Sequence, residues 1–336
     1  PPPLGATTHL VVPGSRYDAS GLRRWFFGNG FRNIWAAPVE IPVLDLDNEK
    51  GGLTVVETGG YGQTFTLEFL GADGLDYAVR SLDKDPTRRM DPLLRGTIVA
   101  DIVQDQTSSF LPTAGLVVDP LLEAAGLLYP RHKLVVIPDD PRLGEFREDY
   151  AGLIGMFIDR PQEGPDNTPG FAGSTRISGT DTFFEELEEA DCDRPDAREY
   201  LKARFIDLLV GDRDRHEGQW RWARYPADPG NPAEEGCHVW RPIPEDRDQA
   251  FIYPDGVMMA IYRLIDFRMV KFDPGYPSLR GLTLNGWEVD RRVLSALEEP
   301  VWVEVAEELK QELTDVVIEE AVRRLPDPHY QEVGPW

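Results

Sequence analysis

Cysteine, histidine and lysine are scarce in this chain of 336 residues, which contains two, five and six of them. Cys192 and Cys237 are separated widely, neither lies in a CxxC pair, and the residues around them lack the spacing of metal ligands. We therefore expect neither a disulfide framework nor a structural zinc site.

Positive charge is also scarce, because 35 Lys and Arg residues face 59 Asp and Glu residues and the formal net charge is −24. This charge repels phosphate backbones and anionic lipids, and we see no local basic patch, so we expect no nucleic-acid partner.

No apolar run approaches the roughly 18 residues of a membrane helix, so we expect no direct membrane insertion. The opening PPPLGATTHLVV has no initiator Met and no basic leader, so we expect a piece of a longer chain.

The chain divides by pattern into four parts. Residues 1–50 are irregular and are expected to form an extension packed on the domain, and residues 51–160 are rich in strands joined by short turns. Residues 161–175, PQEGPDNTPGFAGST, are a linker candidate, and residues 176–336 are mainly helical. We expect an α+β protein with an antiparallel sheet in its first half and helices in its second.

Two further helices are suggested by local signals. Asp119 followed by Pro120 predicts a short helix that begins there, since proline suits the first helical position. The apolar periodicity of EPVWVEVAEELKQELTDVVIEEAVRRL predicts a long amphipathic segment near the end of the chain.

A glycine-rich turn separates the first two predicted strands of the sheet. It contains Gly59, Gly60, Gly62 and Gln63. Glycine lets backbone amides approach phosphate oxygens closely, although an ordinary hairpin turn has the same composition. These four residues are therefore candidates for binding a nucleotide.

A second cluster, GDRDRHEGQW, directly follows a predicted amphipathic helix. An Asp, four residues and then an amide is the layout of a phosphotransfer catalytic loop, in which the Asp orients the attacking hydroxyl and the amide binds metal. Asp214 and Gln219 have this spacing. The alternative is a solvated acidic turn in which Arg213 and Arg215 are local partners.

A third cluster ends the predicted strand CHVWRPIP. Asp246 and Asp248 lie in the sequence EDRDQAF, where a carboxylate at a strand end is suited to bind the metal that bridges nucleotide phosphates. Asp266, in the sequence DFR, is a lower-ranked alternative, because Arg stands where a DFG triplet has Gly.

The order of these motifs resembles that of a two-lobed protein-kinase-like fold. The sequence is similar to the atypical kinase-like group of the CotH kinases, the HipA-type kinases and the secretory-pathway kinases, which have a DRH-type catalytic loop. The resemblance covers roughly residues 51–325 and is strongest in DRHEGQW and IPEDRDQAF. The chain also looks like a kinase-like module of bacterial multidomain envelope proteins, which implies a location in the cell envelope.

The resemblance implies roles for five residues. Asp214 would be the catalytic base, Gln219 would take the place of the metal-binding Asn, and Asp248 would be the principal ligand of Mg²⁺ or Mn²⁺ with Asp246 beside it. Arg80 stands where these kinases have the third-strand lysine that grips the phosphates of ATP.

Lys84 lies four residues beyond Arg80 and is the second candidate for that grip. The acidic partner of this cation would lie on the following helix, where Asp101 and Asp105 are the available carboxylates and Gln104 would break the ion pair.

Two functions from different classes follow. The first is ATP-dependent phosphotransfer to an unknown protein or small-molecule acceptor. The second is a nucleotide-binding or structural pseudokinase module of a larger envelope protein, which Arg in place of Lys favours. A metal-dependent phosphoesterase is weaker because histidines are few, and no GxSxG or SxxK context supports a serine hydrolase.

Overall fold

The computed structural model describes residues 1–3, 5–59, 62–227, 231, 235–275 and 278–335. Eleven strands lie within these residues: β1 (Thr8–Val11), β2 (Val39–Pro42), β3 (Leu53–Gly59), β4 (Thr64–Gly71), β5 (Asp76–Lys84), β6 (His132–Val136), β7 (Ile154–Asp159), β8 (Arg176–Gly179), β9 (Arg194–Pro195), β10 (Trp220–Pro226) and β11 (His238–Pro244). None of the described helices is both long and apolar enough to cross a membrane.

Thirteen α-helices lie within the same described residues. They are α1 (Gly21–Phe27), α2 (Arg32–Ala36), α3 (Ile98–Asp105), α4 (Ala114–Ala124), α5 (Arg147–Tyr150), α6 (Thr180–Glu189), α7 (Ala197–Leu209), α8 (Gly256–Tyr262), α9 (Leu279–Thr283), α10 (Trp287–Leu294), α11 (Glu299–Glu312), α12 (Asp315–Val322) and α13 (Asp327–Val333). Six of them follow residue 210, so helices dominate the last third of the described chain.

The larger sheet has the order β3-β4-β5-β7-β6 and is antiparallel throughout. Strands β4 and β5 contain consecutive buried positions, and since successive side chains of a strand point to opposite faces, both faces of the sheet are covered there. One face covers a core that includes Leu67, Phe69 and Phe157. The other face packs on α4 and continues into the core of the helical lobe. The expected α+β arrangement of an antiparallel sheet followed by a helical lobe is confirmed.

A second sheet, with the order β8-β10-β11-β9, lies in the helical half of the chain. The β10–β11 hairpin separates the two predicted acidic clusters and pairs Trp220 with Pro244. Trp220, Trp222 and Trp240 are completely buried, and Trp222 stacks on Phe183 with 4.0 Å between ring centroids. These buried aromatic rings form a rigid support for the loops that carry the acidic residues.

The first 50 residues are more ordered than expected from their sequence. They form the antiparallel pair β1–β2 and the helices α1 and α2, and Ile34 and Trp35 are buried in the main core. Val43 also forms a parallel bridge with Val136 at the edge of the large sheet. The boundaries at residues 50, 160 and 175 stay predictions.

The two helix predictions need correction. Helix α4 begins at Ala114, so Pro120 lies inside it; the buried apolar residues Val117 and Val118 outweigh the missing hydrogen bond of proline. The predicted long C-terminal segment is divided into α11 and α12, because the side chain of Thr314 accepts a hydrogen bond from the backbone N–H of Val317 and starts a new helix.

Cys192 and Cys237 form a disulfide, contrary to our expectation. The Cα atoms are 5.3 Å apart because β9 pairs in parallel with β11, which brings the two preceding loops together. Sequence spacing carries no information about this contact, since it arises from strand pairing between distant parts of the chain.

Candidate active site

The candidate site is a cleft of about 500 Å³ between the large sheet and the helical lobe. Among the sequence-predicted residues, those that line this cleft are Gly62, Gln63, Arg80, Lys84, Asp214, Gln219, Asp246 and Asp248. Gly59 ends β3 outside this lining, and Gly60 lies outside the described residues. The folded chain therefore brings all three predicted clusters to one cavity.

Two cations of β5 face two carboxylates of the loop after β11. Arg80 and Lys84 are four residues apart on one strand, so their side chains point to the same face of the sheet. Arg80 Nη2 lies 3.0 Å from Asp246 Oδ2, and Lys84 Nζ forms an ion pair with Asp248. The groups proposed to grip phosphate and those proposed to hold metal are thus in direct contact.

These contacts change the acidity of the groups in the cleft. Burial raises the pKa of Asp246, but the positive charges of Arg80 and Lys84 outweigh this effect and hold that pKa well below its usual range. The charge of Asp246 in turn raises the pKa of Arg80. Asp246 is therefore ionised, and available as an anionic ligand, throughout the physiological pH range.

Asp246 has an unusual backbone conformation. Its φ of 51° lies in the left-handed region, which costs a residue with a side chain on the order of 1–3 kcal/mol. The guanidinium of Arg215 compensates, since its Nη1 donates to the carbonyls of Glu245 at 2.7 Å and Asp246 at 2.9 Å. Arg215 thereby ties the loop of residues 211–219 to the loop that presents Asp246 and Asp248.

Arg215 is completely buried, so the alternative of a solvated acidic turn is wrong. It belongs to a buried ionic cluster in which Asp207 and Asp212 are surrounded by Arg204, Arg215 and Arg247. The arginines lower the pKa of Asp207 despite its burial. Sequence reasoning missed this cluster; the only signal was the repeated alternation of Asp and Arg in GDRDRH and EDRDQ.

Asp214, the candidate base, is held from two sides. Its backbone N–H donates to Asp212 Oδ1 at 3.1 Å, and its Oδ2 accepts a hydrogen bond of 3.1 Å from Gln249 Nε2. Gln249, which sequence reasoning did not single out, also lines the cleft.

Gln219 lies near the other end of the same loop. Its Nε2 is 3.5 Å from His216 Nε2, while His216 Nδ1 accepts a hydrogen bond from the N–H of Gly218. The amide oxygen of Gln219 therefore remains directed away from this histidine contact.

The acidic partner expected on the helix after β5 is not there. Asp105 is buried and binds Arg32 and Arg23, and Asp101 is exposed. Gln104 instead donates to the backbone carbonyl of Lys84 at 2.7 Å, which holds the end of β5.

The lower-ranked Asp266 has a local partner of its own. It forms two hydrogen bonds with the guanidinium of Arg268, and it is absent from the lining of the cleft.

The oxygen donors of the cleft suit a divalent ion of the Mg²⁺ type. Such an ion is commonly held by one or two carboxylates together with nucleotide phosphates and waters, not by a cage of protein ligands. Asp246, Asp248 and the amide of Gln219 supply such a partial set. The described part of the chain contains no group of three or more His, Cys, Asp or Glu residues arranged to hold a metal.

Comparisons with known proteins give only weak similarities. No protein-family model and no curated protein match the chain. The structure is similar to the Helicobacter pylori proinflammatory kinase CtkA, with a TM-score of 0.41, 11% identity and coverage of 86% of this chain and 91% of that one. It is also similar to the Rio2 kinase from Chaetomium thermophilum in an ADP/Mg²⁺-phosphoaspartate complex, with a TM-score of 0.26, 12% identity and coverage of 81% and 72%.

Both TM-scores are below 0.5, so neither similarity assigns an activity to this chain. The fold class follows from the architecture of the chain: an antiparallel five-stranded sheet, a helical lobe, and a cleft where the two predicted loops meet. This two-lobed α+β architecture agrees with the kinase-like fold expected from the sequence. In this structure β5 carries the two cations of the cleft, residues 211–219 form the loop with Asp214 and Gln219, and residues 245–249 form the loop with Asp246 and Asp248.

Proposed function

We propose that this protein is a phosphotransferase that uses ATP with Mg²⁺ or Mn²⁺ and transfers the terminal phosphoryl group to an acceptor hydroxyl. The observation that carries the proposal is the meeting of Arg80, Lys84, Asp214, Asp246 and Asp248 in one cleft. Two phosphate-binding cations, two anionic oxygen ligands and a separate carboxylate are the groups that this reaction needs.

The residues of the chain would act mainly by positioning. Arg80 and Lys84 would bind phosphate oxygens, and Gly62 and Gln63 would cover the phosphates from the β3–β4 turn. Asp214 would orient the acceptor hydroxyl. As the acceptor oxygen bonds to the terminal phosphorus, the bond from that phosphorus to the bridging oxygen breaks, ADP leaves, and the hydroxyl proton passes to Asp214.

The metal would be held by Asp248 and Asp246 with the amide oxygen of Gln219. It would supply positive charge to the phosphate oxygens as the bridging bond breaks. Binding of a metal–nucleotide complex requires an exchange of partners, since the two carboxylates now contact Arg80 and Lys84. Each cation would move to phosphate as each carboxylate moves to the metal, so no charge in the cleft is left unpaired.

The same ion pairs support a second candidate, a pseudokinase module that binds nucleotide or none. In that case the pairs would serve only to join the two lobes, and no exchange would take place. The two candidates differ in their response to a metal nucleotide.

The disulfide between Cys192 and Cys237 supports a location outside the cytoplasm, because reducing conditions in most cytoplasms prevent such bonds. An envelope location agrees with this, and ATP would then have to be supplied to that compartment.

Thermal unfolding with ATP, with and without Mg²⁺ or Mn²⁺, tests the proposal first. A ligand present at 100 times its Kd stabilises the native state by about 2.7 kcal/mol, so a clear rise in Tm with the metal nucleotide is expected.

Transfer of labelled terminal phosphate to the protein itself or to water is then measured for the wild type and for Asp214→Ala. The variant should lose transfer by about 10²–10⁴-fold while retaining nucleotide binding. Binding without transfer in the wild type would favour the pseudokinase, and no Tm shift with any nucleotide would leave only a structural role.

A further inference from the structure

We propose that Gln249 is the positioning residue of the catalytic base: its amide group fixes the orientation of the Asp214 carboxylate and thereby sets the rate of phosphoryl transfer. This inference rests on the proposed function. It adds a residue that neither the motif spacing nor the implied kinase roles contain.

The amide of Gln249 lies between two groups of opposite charge. Its Nε2 donates to Asp214 Oδ2 at 3.1 Å, and its Oε1 accepts from Arg213 Nε at 3.2 Å. A carboxylate can only accept here and a guanidinium can only donate, so the chemistry of the two neighbours dictates which way the amide points.

Arg213 is itself anchored, which makes the arrangement rigid. Its Nη1 donates to the backbone carbonyl of Arg268 at 2.8 Å and lies 2.9 Å from the sulfur of Met269. Three consecutive hydrogen bonds thus connect Asp214, through Gln249 and Arg213, to the backbone of Arg268 after α8. Asp214 is held at its backbone by Asp212 and at its side chain by Gln249.

This arrangement leaves one carboxylate oxygen for the acceptor. Within the described residues, Asp214 Oδ2 has the Gln249 hydrogen bond, whereas no hydrogen bond to Oδ1 is formed. With Oδ2 held, rotation about the last side-chain bond is restricted and Oδ1 keeps one direction in the cleft. A base that is oriented in advance loses less freedom when the acceptor hydroxyl arrives.

Gln249 also directly follows Asp248 in the chain. The same loop therefore presents the proposed metal ligand and orients the proposed base. A glutamate at this position could still accept from Arg213 but could not donate to Asp214, whereas a methionine of similar length could do neither. These two replacements separate the contact with the base from the contact with Arg213.

The test measures kcat and KM for ATP in phosphate transfer by the full chain, with water or the protein itself as acceptor. The variants are Gln249→Met and Gln249→Glu, and Gln311→Met on the exposed surface of α11 is the matched control. A hydrogen bond to a charged group is worth about 1.5–3 kcal/mol, so we expect kcat to fall about 10–100-fold in both Gln249 variants. The KM for ATP, the Tm and the Tm shift with metal nucleotide should stay as in the wild type.

A double-mutant cycle distinguishes positioning from a general structural effect. In an Asp214→Asn background, Gln249→Glu should change the residual rate little, since the carboxylate that Gln249 orients is gone. Full activity of both Gln249 variants, a raised KM with unchanged kcat, or additive losses in the double mutant would overturn the inference while the proposed function stands. Absence of phosphate transfer in the wild type would instead remove the proposed function, and the inference with it.

Discussion

Arg80 and Asp246 form an ion pair of 3.0 Å across the cleft, although 166 positions separate them in the chain. One residue belongs to the central strand of the large sheet and the other to the loop after β11, so the pair joins the two lobes at the proposed site of phosphate binding. Lys84, four residues further along β5, makes a second such contact with Asp248. Both carboxylates of the loop after β11 are therefore paired with cations of β5.

The two cations of β5 should differ in importance for nucleotide binding. Arginine can bind phosphate through two parallel hydrogen bonds, so we expect Arg80→Ala to weaken ATP binding about 10–100-fold. Isothermal titration with ATP and Mg²⁺ measures this change, and Lys133→Ala, a similar truncation at an exposed position of β6, is the control. If Lys84→Ala alone carries the defect and Arg80→Ala is silent, the phosphate grip lies four residues further along the strand than proposed.

Replacement of Asp248 by Asn should abolish the metal dependence of nucleotide binding. The carboxylate lies in the cleft at the surface and contributes ligation more than packing, so we expect the free energy of unfolding to change by less than about 1 kcal/mol. The Tm shift with ATP should become the same with and without Mg²⁺. Asp266→Asn is the matched control, since Asp266 pairs with Arg268 outside the cleft; a variant of Asp248 that keeps full metal dependence would contradict the assignment.

Removal of the disulfide should destabilise the fold without changing the site. Cross-linking of residues 45 positions apart restricts the unfolded chain, and the chain-entropy relation gives about 4 kcal/mol for a loop of that length. We expect Cys192→Ser with Cys237→Ser to lower the urea midpoint, and dithiothreitol to do the same in the wild type. Affinity for the metal nucleotide should not change under conditions where the variant stays folded, because neither cysteine lines the cleft.

His329 should make the protein sensitive to acid. It is completely buried beside Thr113, and burial lowers its pKa to about 4. Below pH 6.5 the unfolded chain takes up a proton at this residue and the native protein does not, so stability falls as the pH falls from 6.5 to 4. One pKa unit corresponds to 1.36 kcal/mol, which gives a total loss of about 3 kcal/mol.

Urea unfolding of the wild type and of His329→Gln across this pH range measures the contribution of His329. The variant should be less stable at pH 7 but should lose less stability on acidification. His9→Gln, at a half-buried position of strand β1, is the control. Equal pH slopes for the wild type and His329→Gln would show that the acid sensitivity arises elsewhere.

The sequence alone was sufficient for the parts of this protein that depend on neighbours in the chain. The strand-rich pattern of residues 51–160 predicted the antiparallel sheet, and the spacing of Asp214 and Gln219 and of Asp246 and Asp248 identified loops that line the cleft. These features follow from local rules: side-chain alternation in a strand, glycine in a turn, and functional residues at the ends of elements.

Only the tertiary structure decided how distant residues are partnered. It pairs Arg80 with Asp246 and not with a carboxylate of α3, buries Arg215 beneath the carboxylate loop, places Gln249 against Asp214, and brings Cys192 to Cys237. Each of these contacts joins segments from different parts of the chain. The geometry of these contacts depends on how the strands pair and how the lobes pack. No local pattern in the sequence predicts it, because each Arg or Asp could pair equally well with other residues of opposite charge. Close packing of the folded chain selects one set of partners.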